Sequence, residues 1–329
     1  MSFMRSARAW WRLARPFTCL PPAVGVVTGA LAAIGARMRA DGSSFETVTT
    51  GLNALGLRDD PPREWSHVLA VGALAAIALN IYSNVLNQLC DVEIDRRAKP
   101  ERPLPSGELS RGAAWSCAFA ALLASMTWGL FARPPGSRNP EFLYCALLAA
   151  ILTTLYSLPP VRLKRWGLAA NFAIALARGL LLKVAGWAVL FPALSPFDPE
   201  PWALGSVFFV FTFGAVTTKD FSDAEADAAD GVRSLPVAWG FRSAARLAAA
   251  CLALPWLALP VLGAAGVLHA PLGALAALGL GLSAYGGWIG SRLLRDPDAL
   301  GRERNHPAWT HMYVLMLAAQ AGTAGVYLL

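Results

Sequence analysis

The sequence predicts an all-α polytopic membrane protein of about nine transmembrane helices. Three observations carry that expectation. Of the 329 residues 56% are hydrophobic and 15% charged, too apolar a balance for an ordinary soluble domain. Runs of roughly 20 residues with few charges recur along the chain, each long enough to cross a hydrocarbon layer of ~30 Å. The runs do not alternate apolar and polar residues, so a transmembrane barrel is excluded.

The spans are expected at about 17–36, 66–90, 111–132, 141–158, 167–191, 201–218, 243–266, 271–293 and 307–328. A basic N-terminus, Met1 to Pro16, precedes the first. No small-residue cleavage site follows it, which reads as a retained span rather than a signal peptide. The polar segment 37–64, with Gly42-Ser43-Ser44 and Asp59-Asp60-Pro61-Pro62, reads as an external loop. The second and sixth spans each end in an acidic stretch, and Pro- and Gly-containing segments such as Arg133-Pro-Pro-Gly-Ser-Arg138 separate the others. Span, acidic helix end and Pro/Gly loop recur in that order, with Asp95 and Asp227 132 residues apart. The chain therefore reads as one domain, 1–329, with a possible internal repeat of about 1–165 and 166–329.

Lys and Arg set the orientation. With a cytoplasmic N-terminus, twenty of the 28 fall in inner segments and six in outer ones, so both acidic stretches open to the cytoplasm. The pattern fits a prokaryotic inner (plasma) membrane. The net charge of +7 is scattered among apolar runs rather than gathered in a basic domain. It suits anionic lipid headgroups and an anionic substrate, and no nucleic acid. Cys19, Cys90, Cys117, Cys145 and Cys251 lack C-x-x-C spacing and read as packing residues. The histidines are isolated and receive no role.

Chemistry concentrates in two places. Asn87, Asp91 and Asp95 lie at i, i+4 and i+8, and Asp220, Asp223 and Asp227 at i, i+3 and i+7. On helices each set shares one face. A carboxylate at a bilayer centre costs roughly 2.5–3.5 kcal/mol, and clustered acids repel unless cations intervene. Such groups are poor structural choices and good ligands for a hard cation such as Mg²⁺. Two facing clusters would hold a diphosphate between metal ions. Glu93 and Glu225 are out of phase and read as solvated or Arg-paired; Asp230, beside Gly231, reads as a cap or turn.

The pattern Asn87-x-x-x-Asp91-x-x-x-Asp95, its continuation Arg102-Pro-Leu-Pro-Ser-Gly107, and Asp223-x-x-x-Asp227 resemble the motifs of the UbiA superfamily of intramembrane prenyltransferases. The resemblance implies a helical bundle around a central cavity. It implies Mg²⁺-dependent transfer of a prenyl group from a polyprenyl diphosphate, such as geranylgeranyl diphosphate, to an aromatic, chlorin or lipid acceptor, with release of pyrophosphate. Asp91, Asp95, Asp223 and Asp227 would carry catalysis, joined by Asn87 and Asp220 as metal ligands. Tyr156, followed by Arg162 and Lys164, resembles the family's Y-x-x-x-K motif, although Tyr156 and Lys164 are eight apart, which leaves the choice between Arg162 and Lys164 open. Arg12 and Arg15 resemble basic residues that the family places before the first span. Arg102 and Lys219 suit direct diphosphate contact.

Arg178 and Lys183, five apart on nearly opposite faces of the fifth span, imply that at least one faces the interior; Lys183 and Asn171 are assigned as substrate contacts. Aromatic faces stabilise an allylic cation, with Tyr156 favoured over Tyr82, Trp187, Phe208, Phe209, Phe211 and Phe213. The run from Asp227 through Gly231-Val-Arg-Ser-Leu-Pro-Val237 resembles the homogentisate, chlorophyll-synthase and archaeal-lipid branches. Rival readings are a membrane terpene cyclase of the same fold, a membrane transporter and a non-catalytic scaffold.

Overall fold

The computed structural model describes residues 2–44, 47–48, 61–134, 136–195, 198–302 and 306–329. Half of the expected external loop 37–64, namely 45–46 and 49–60, lies outside them. Among the described residues the architecture is helical, with one isolated bridge between Trp166 and Arg233.

The helices are α1 (Ser2–Ala14), α2 (Leu20–Asp41), α3 (Pro61–Cys90), α4 (Val92–Ala98), α5 (Arg111–Phe131) and α6 (Glu141–Ser157). They continue as α7 (Gly167–Ala188), α8 (Glu200–Ala215), α9 (Thr217–Ala229) and α10 (Leu235–Trp239). The last are α11 (Phe241–Ala264), α12 (Leu272–Arg295) and α13 (Pro307–Leu328). Seven helical segments among the described residues are long and apolar enough to cross a membrane, rather than the nine expected. The 17-residue α6 is short, and α13 carries His311 and Gln320 among its apolar residues.

The bundle closes through α2, which packs against α3, α7 and α13. Small residues permit the approach: a Cβ on Gly29 would stand 2.9 Å from Gly186 Cα. In a bilayer such close backbone contact substitutes for the hydrophobic drive between helices. The helix α7 is not uniform, since Ala175–Leu180 forms a π-turn between two α-helical halves.

Polar residues of α3 fix the N-terminal corner. Asn84 Nδ2 donates to Ala14 O at 2.8 Å and Thr18 Oγ1 at 2.9 Å, and Gln88 Nε2 donates to Leu13 O at 2.7 Å. Arg15 is thereby held at φ 51°, ψ 61°, a left-handed conformation that costs a non-glycine residue ~1–3 kcal/mol. At the opposite end of the bundle, Glu200 in the first turn of α8 is buried. It accepts from His269 N at 2.6 Å and Tyr327 Oη at 2.5 Å, and lies 2.7 Å from His269 Nδ1.

Candidate active site

The first acidic stretch is not one straight helix. The α3 helix stops at Cys90, Asp91 adopts φ −106°, ψ 8°, and α4 begins at Val92. Helical hydrogen bonding nevertheless bridges the break, with Asp91 N donating to Asn87 O at 3.1 Å and Asp95 N to Asp91 O at 2.7 Å. Asn87 and Asp91 still point the same way, because Lys164 Nζ reaches both side chains, Asn87 Oδ1 at 3.2 Å. Arg162 Nη2 adds a second cation to Asp91 at 2.8 Å. Burial holds the Lys164 ammonium below its usual pKa, an effect that the Asp91 carboxylate opposes.

Asp95 is 3% exposed and accepts from Arg102 Nη1 at 2.7 and 2.5 Å. Burial raises its carboxyl above the ordinary value, with Arg102 opposing that shift. Glu93 pairs with Arg111 and Arg96 on the exposed side, and the Arg111 hydrogen bond holds it below the usual carboxylate range.

The second acidic stretch lies wholly on α9. Asp223 receives Lys99 Nζ at 3.1 Å and lies 3.3 Å from Lys219 Nζ; Asp230 receives Arg97 Nη2 at 2.6 Å. Arg97 and Lys99 follow directly on the first stretch, so the segments that carry the two motifs are tied together. A second tie joins their flanking loops: Gly167 N donates to Arg233 O at 2.9 Å and Arg233 N to Arg165 O at 3.0 Å. Only glycine fits at 167, where a Cβ would stand 2.6 Å from Arg233 O.

A chamber of about 330 Å³ lies between these stretches. Of the residues singled out from sequence as site residues, Arg15, Asn87, Tyr156, Lys219, Asp220 and Asp223 line it. Asp91, Asp95, Arg102, Arg162 and Lys164 form the ion-paired layer beside it, with Asp227 on the same helix as Asp220 and Asp223. Three expected contacts face elsewhere. Arg12 pairs with Glu108 and donates to Glu101 O at 2.8 Å. Asn171 Nδ2 is consumed by Phe213 O at 2.7 Å and Thr217 Oγ1 at 2.9 Å, an interhelical contact. Lys183, 2% exposed, donates to Thr28 Oγ1 at 3.1 Å and sits 4.3 Å over the Phe208 ring.

Arg178, rather than Lys183, lines the chamber, in keeping with their five-residue spacing on nearly opposite helix faces. The chamber continues into an apolar pocket of about 70 Å³ among α2, α3, α6 and α7. Residues beyond the sequence-derived set also line the chamber: Ser83, Phe17, Trp309, Tyr313 and Gln320. Phe17 and the α13 residues come from opposite ends of the chain, and single aromatics in spans resemble interfacial anchors, so no local pattern marks them. Of the aromatic candidates, Tyr156 and Phe211 reach the chamber.

The donor set is all oxygen, from carboxylates and the Asn87 amide, which suits Mg²⁺ rather than a softer metal. Among the described residues no three acidic, Cys or His groups converge as a ready chelate. Asp91, Asp95 and Asp223 are instead neutralised by Arg and Lys. The arrangement fits a cation that arrives sharing its shell with a polyanion, whose oxygens complete the coordination.

The family and the fold are shown by comparison with known proteins. Residues 47–317 match the sequence model of the UbiA prenyltransferase family. The chain is 31% identical over 249 residues to homogentisate phytyltransferase of Synechocystis sp., covering 72% of this chain and 70% of that protein. It is 35% identical over 164 residues to chloroplastic chlorophyll synthase of Oryza sativa, covering 50% of this chain but 43% of the rice protein. The chain thus spans about half the length of the chlorophyll synthases that it matches. In fold it resembles a UbiA homologue from Archaeoglobus fulgidus solved with DMAPP and Mg²⁺, with a TM-score of 0.61 at 21% identity, covering 95% of this chain and 98% of the other.

Proposed function

The chain belongs to the UbiA prenyltransferase family, and from that premise we propose that it transfers a prenyl group from a polyprenyl diphosphate to an acceptor inside the membrane, in a Mg²⁺-dependent reaction. The observation that carries this reading is the chamber itself. Its acidic and basic end (Asn87, Lys219, Asp220, Asp223 and Arg15) opens into an apolar pocket between helices. A diphosphate with a hydrocarbon tail has the same two-part character.

The protein's own groups divide the work. Arg15 and Lys219 contact diphosphate oxygens as charge-assisted donors. Asn87, Asp91, Asp220 and Asp223 would hold Mg²⁺, which supplies charge neutralisation to the leaving pyrophosphate when bound. Lys164, Arg162, Arg102 and Lys99 keep the carboxylates neutralised and oriented until then, and Asp95 and Asp227 buttress the two acidic helix ends. The bond from prenyl C1 to oxygen breaks with its electron pair passing to the diphosphate. Tyr156 and the apolar walls shelter C1 from water. The acceptor's electron pair forms the new bond to C1, and the acceptor's proton departs with pyrophosphate. Names of relatives support a quinone-precursor aromatic, a chlorin or a lipid alcohol as acceptor. The Lys/Arg asymmetry supports placing the acidic stretches at the cytoplasmic face of a prokaryotic inner membrane.

The test is turnover of radiolabelled geranylgeranyl diphosphate in liposomes with Mg²⁺ and a panel of acceptors, with Asp91→Ala as the blank. The expected result is acceptor-dependent product, abolished by EDTA and in the variant. Product formed without acceptor would replace the transferase by a cyclase. No Mg²⁺-dependent consumption of any prenyl diphosphate would overturn the reading.

A further inference from the structure

The 22 residues of α2 rise about 33 Å, enough by themselves to cross a hydrocarbon layer of ~30 Å. The helix α1 is therefore not needed for the crossing, and the left-handed turn at Arg15 sets it apart from α2. It lies beside the polar end of the chamber, because Arg15, the next residue, lines that chamber with Asp220 and Asp223. One face of α1 belongs to the protein. Ala9 and Leu13 are buried in a cluster with Leu104, Leu109 and the α5 residues Ala114 and Ala118. Arg12 grips the same loop through Glu108 and Glu101 O. The neighbouring α5 leaves Trp115, Phe119 and Leu123 exposed along one face. The helix α1 thus sits at the lipid-facing rim of the bundle rather than at its centre.

The opposite face is uncovered among the described residues. Met4, Arg8 and Trp11, at i, i+4 and i+7, share it; Met4 is 79% exposed, Trp11 67%, and Arg8 is exposed between them. Among the described residues no carboxylate pairs with Arg8. No Asp or Glu precedes Asp41, so the arginines at 5, 8, 12 and 15 have no balancing acid in their own stretch. A single exposed apolar residue is ordinary. A tryptophan and a methionine flanking a free guanidinium at the rim of a membrane bundle complement headgroups: ring and thioether enter the acyl boundary, and the cation meets phosphate. An acidic soluble protein would match the arginines, but the rim beside α5 is already bounded by lipid.

We propose that the Met4–Arg8–Trp11 face of α1 docks on the anionic phospholipid headgroups around the polar end of the chamber, and that this docking holds Arg15 in its place there. The lipid is a surface partner outside the chamber, and its docking stands whatever the chamber binds. Its kinetic consequence rests on the prenyltransferase reading.

The coupling runs through the backbone. Gln88 Nε2 holds Leu13 O and Asn84 Nδ2 holds Ala14 O, the two carbonyls immediately before Arg15. An α1 seated on the membrane keeps this clamp closed and Arg15 at φ 51°. An α1 lifted from the surface frays from its free end toward the clamp, as helix termini do, and Arg15 loses its fixed direction into the chamber. Membrane charge is thereby converted into diphosphate affinity without any lipid entering the site.

The experiment uses the full chain in nanodiscs of phosphatidylcholine, with and without phosphatidylglycerol. Hydrogen exchange of the backbone amides of Ser2–Ala14, followed by mass spectrometry, reads the docking independently of activity. Phosphatidylglycerol is expected to slow that exchange about fivefold, the effect of one cation at an anionic surface, and high salt to restore the faster rate. In a variant carrying Arg8→Gln and Trp11→Gln the slowing disappears. In phosphatidylglycerol discs, where repulsion of the substrate by the surface is common to both proteins, this variant raises the KM for geranylgeranyl diphosphate about fivefold over wild type. In phosphatidylcholine the two agree within about twofold. Equal wild-type exchange in both lipids, or slowing that survives in the variant, overturns the proposal. Slowing that follows protein concentration rather than lipid charge assigns the face to a second copy and overturns it as well. An exchange response with equal KM values in phosphatidylglycerol overturns the hold on Arg15. The wild-type lipid and salt comparison decides if the variant fails to fold. An intact exchange response with no prenyl diphosphate consumed in either lipid would instead remove the prenyltransferase reading and leave the docking standing.

Discussion

Lys99, just beyond the first acidic stretch, donates to Asp223 on α9 at 3.1 Å, across 124 residues of sequence. Both side chains are about a quarter exposed at the edge of the chamber. The contact joins the two halves of the site, and a diphosphate arriving with its cation would compete for both partners. Lys99→Ala is expected to raise the KM for prenyl diphosphate about tenfold, a loss of ~1.4 kcal/mol, and to leave the acceptor KM unchanged. Steady-state kinetics with each substrate varied in turn checks this.

Lys183 offers the opposite case. It is buried between α7, Thr28 and the Phe208 ring, with no carboxylate paired to it among the described residues. Replacing a buried ion by an apolar residue of similar volume is often neutral or stabilising by ~1–4 kcal/mol. Lys183→Met is therefore expected to hold or raise the midpoint of thermal unfolding in detergent, with both KM values unchanged. A large rise in either KM would return Lys183 to the substrate-binding set.

Gly167→Ala should separate the loops that carry Lys164 and Arg233. The new Cβ meets Arg233 O at 2.6 Å, and relief requires breaking the Gly167–Arg233 hydrogen bond. Overpacking of this kind costs ~1–3 kcal/mol. The expected signature is increased proteolysis near residues 158–166 and 230–234, together with a raised KM for prenyl diphosphate.

Glu200→Ala removes the shared partner of His269 and Tyr327 at the far end of α8 from Asp220. Stranding buried donors costs ~1–3 kcal/mol for each group left unpaired. Thermal unfolding should shift down by several degrees. Below the new transition the rate of prenyl diphosphate consumption should stay within about twofold, because the chamber lies at the other end of the helix.

The helical, membrane-crossing class was legible from composition and run length, because hydrocarbon thickness imposes both. The acidic residues were legible because i, i+3 and i+4 spacing reports a shared face directly. The break at Asp91 was hidden, since the helical hydrogen bonds continue across it and the periodicity barely changes. Asn171 looked available for substrate, yet its amide is spent on Phe213 O and Thr217 Oγ1, partners more than forty residues away. Phe17 and Trp309 form one wall from the two ends of the chain, and Glu200 gathers partners from α13 and the segment before α12. Pairings of that kind depend on tertiary closure, which local patterns do not encode.

The π-turn at Ala175–Leu180 behaves as a one-residue insertion in an otherwise ordinary helix. It lets two halves of α7 be clocked independently: the Asn171 half keeps its seat on α8, while the Lys183 half keeps its seat on α2. Deleting a single residue within the turn would let both halves merge into a regular helix without disturbing either seat. The guanidinium at the turn would be the group displaced. Charge in the chamber is thus governed by helix register, so a one-codon change in length, with no change in residue type, alters what this membrane cavity can bind.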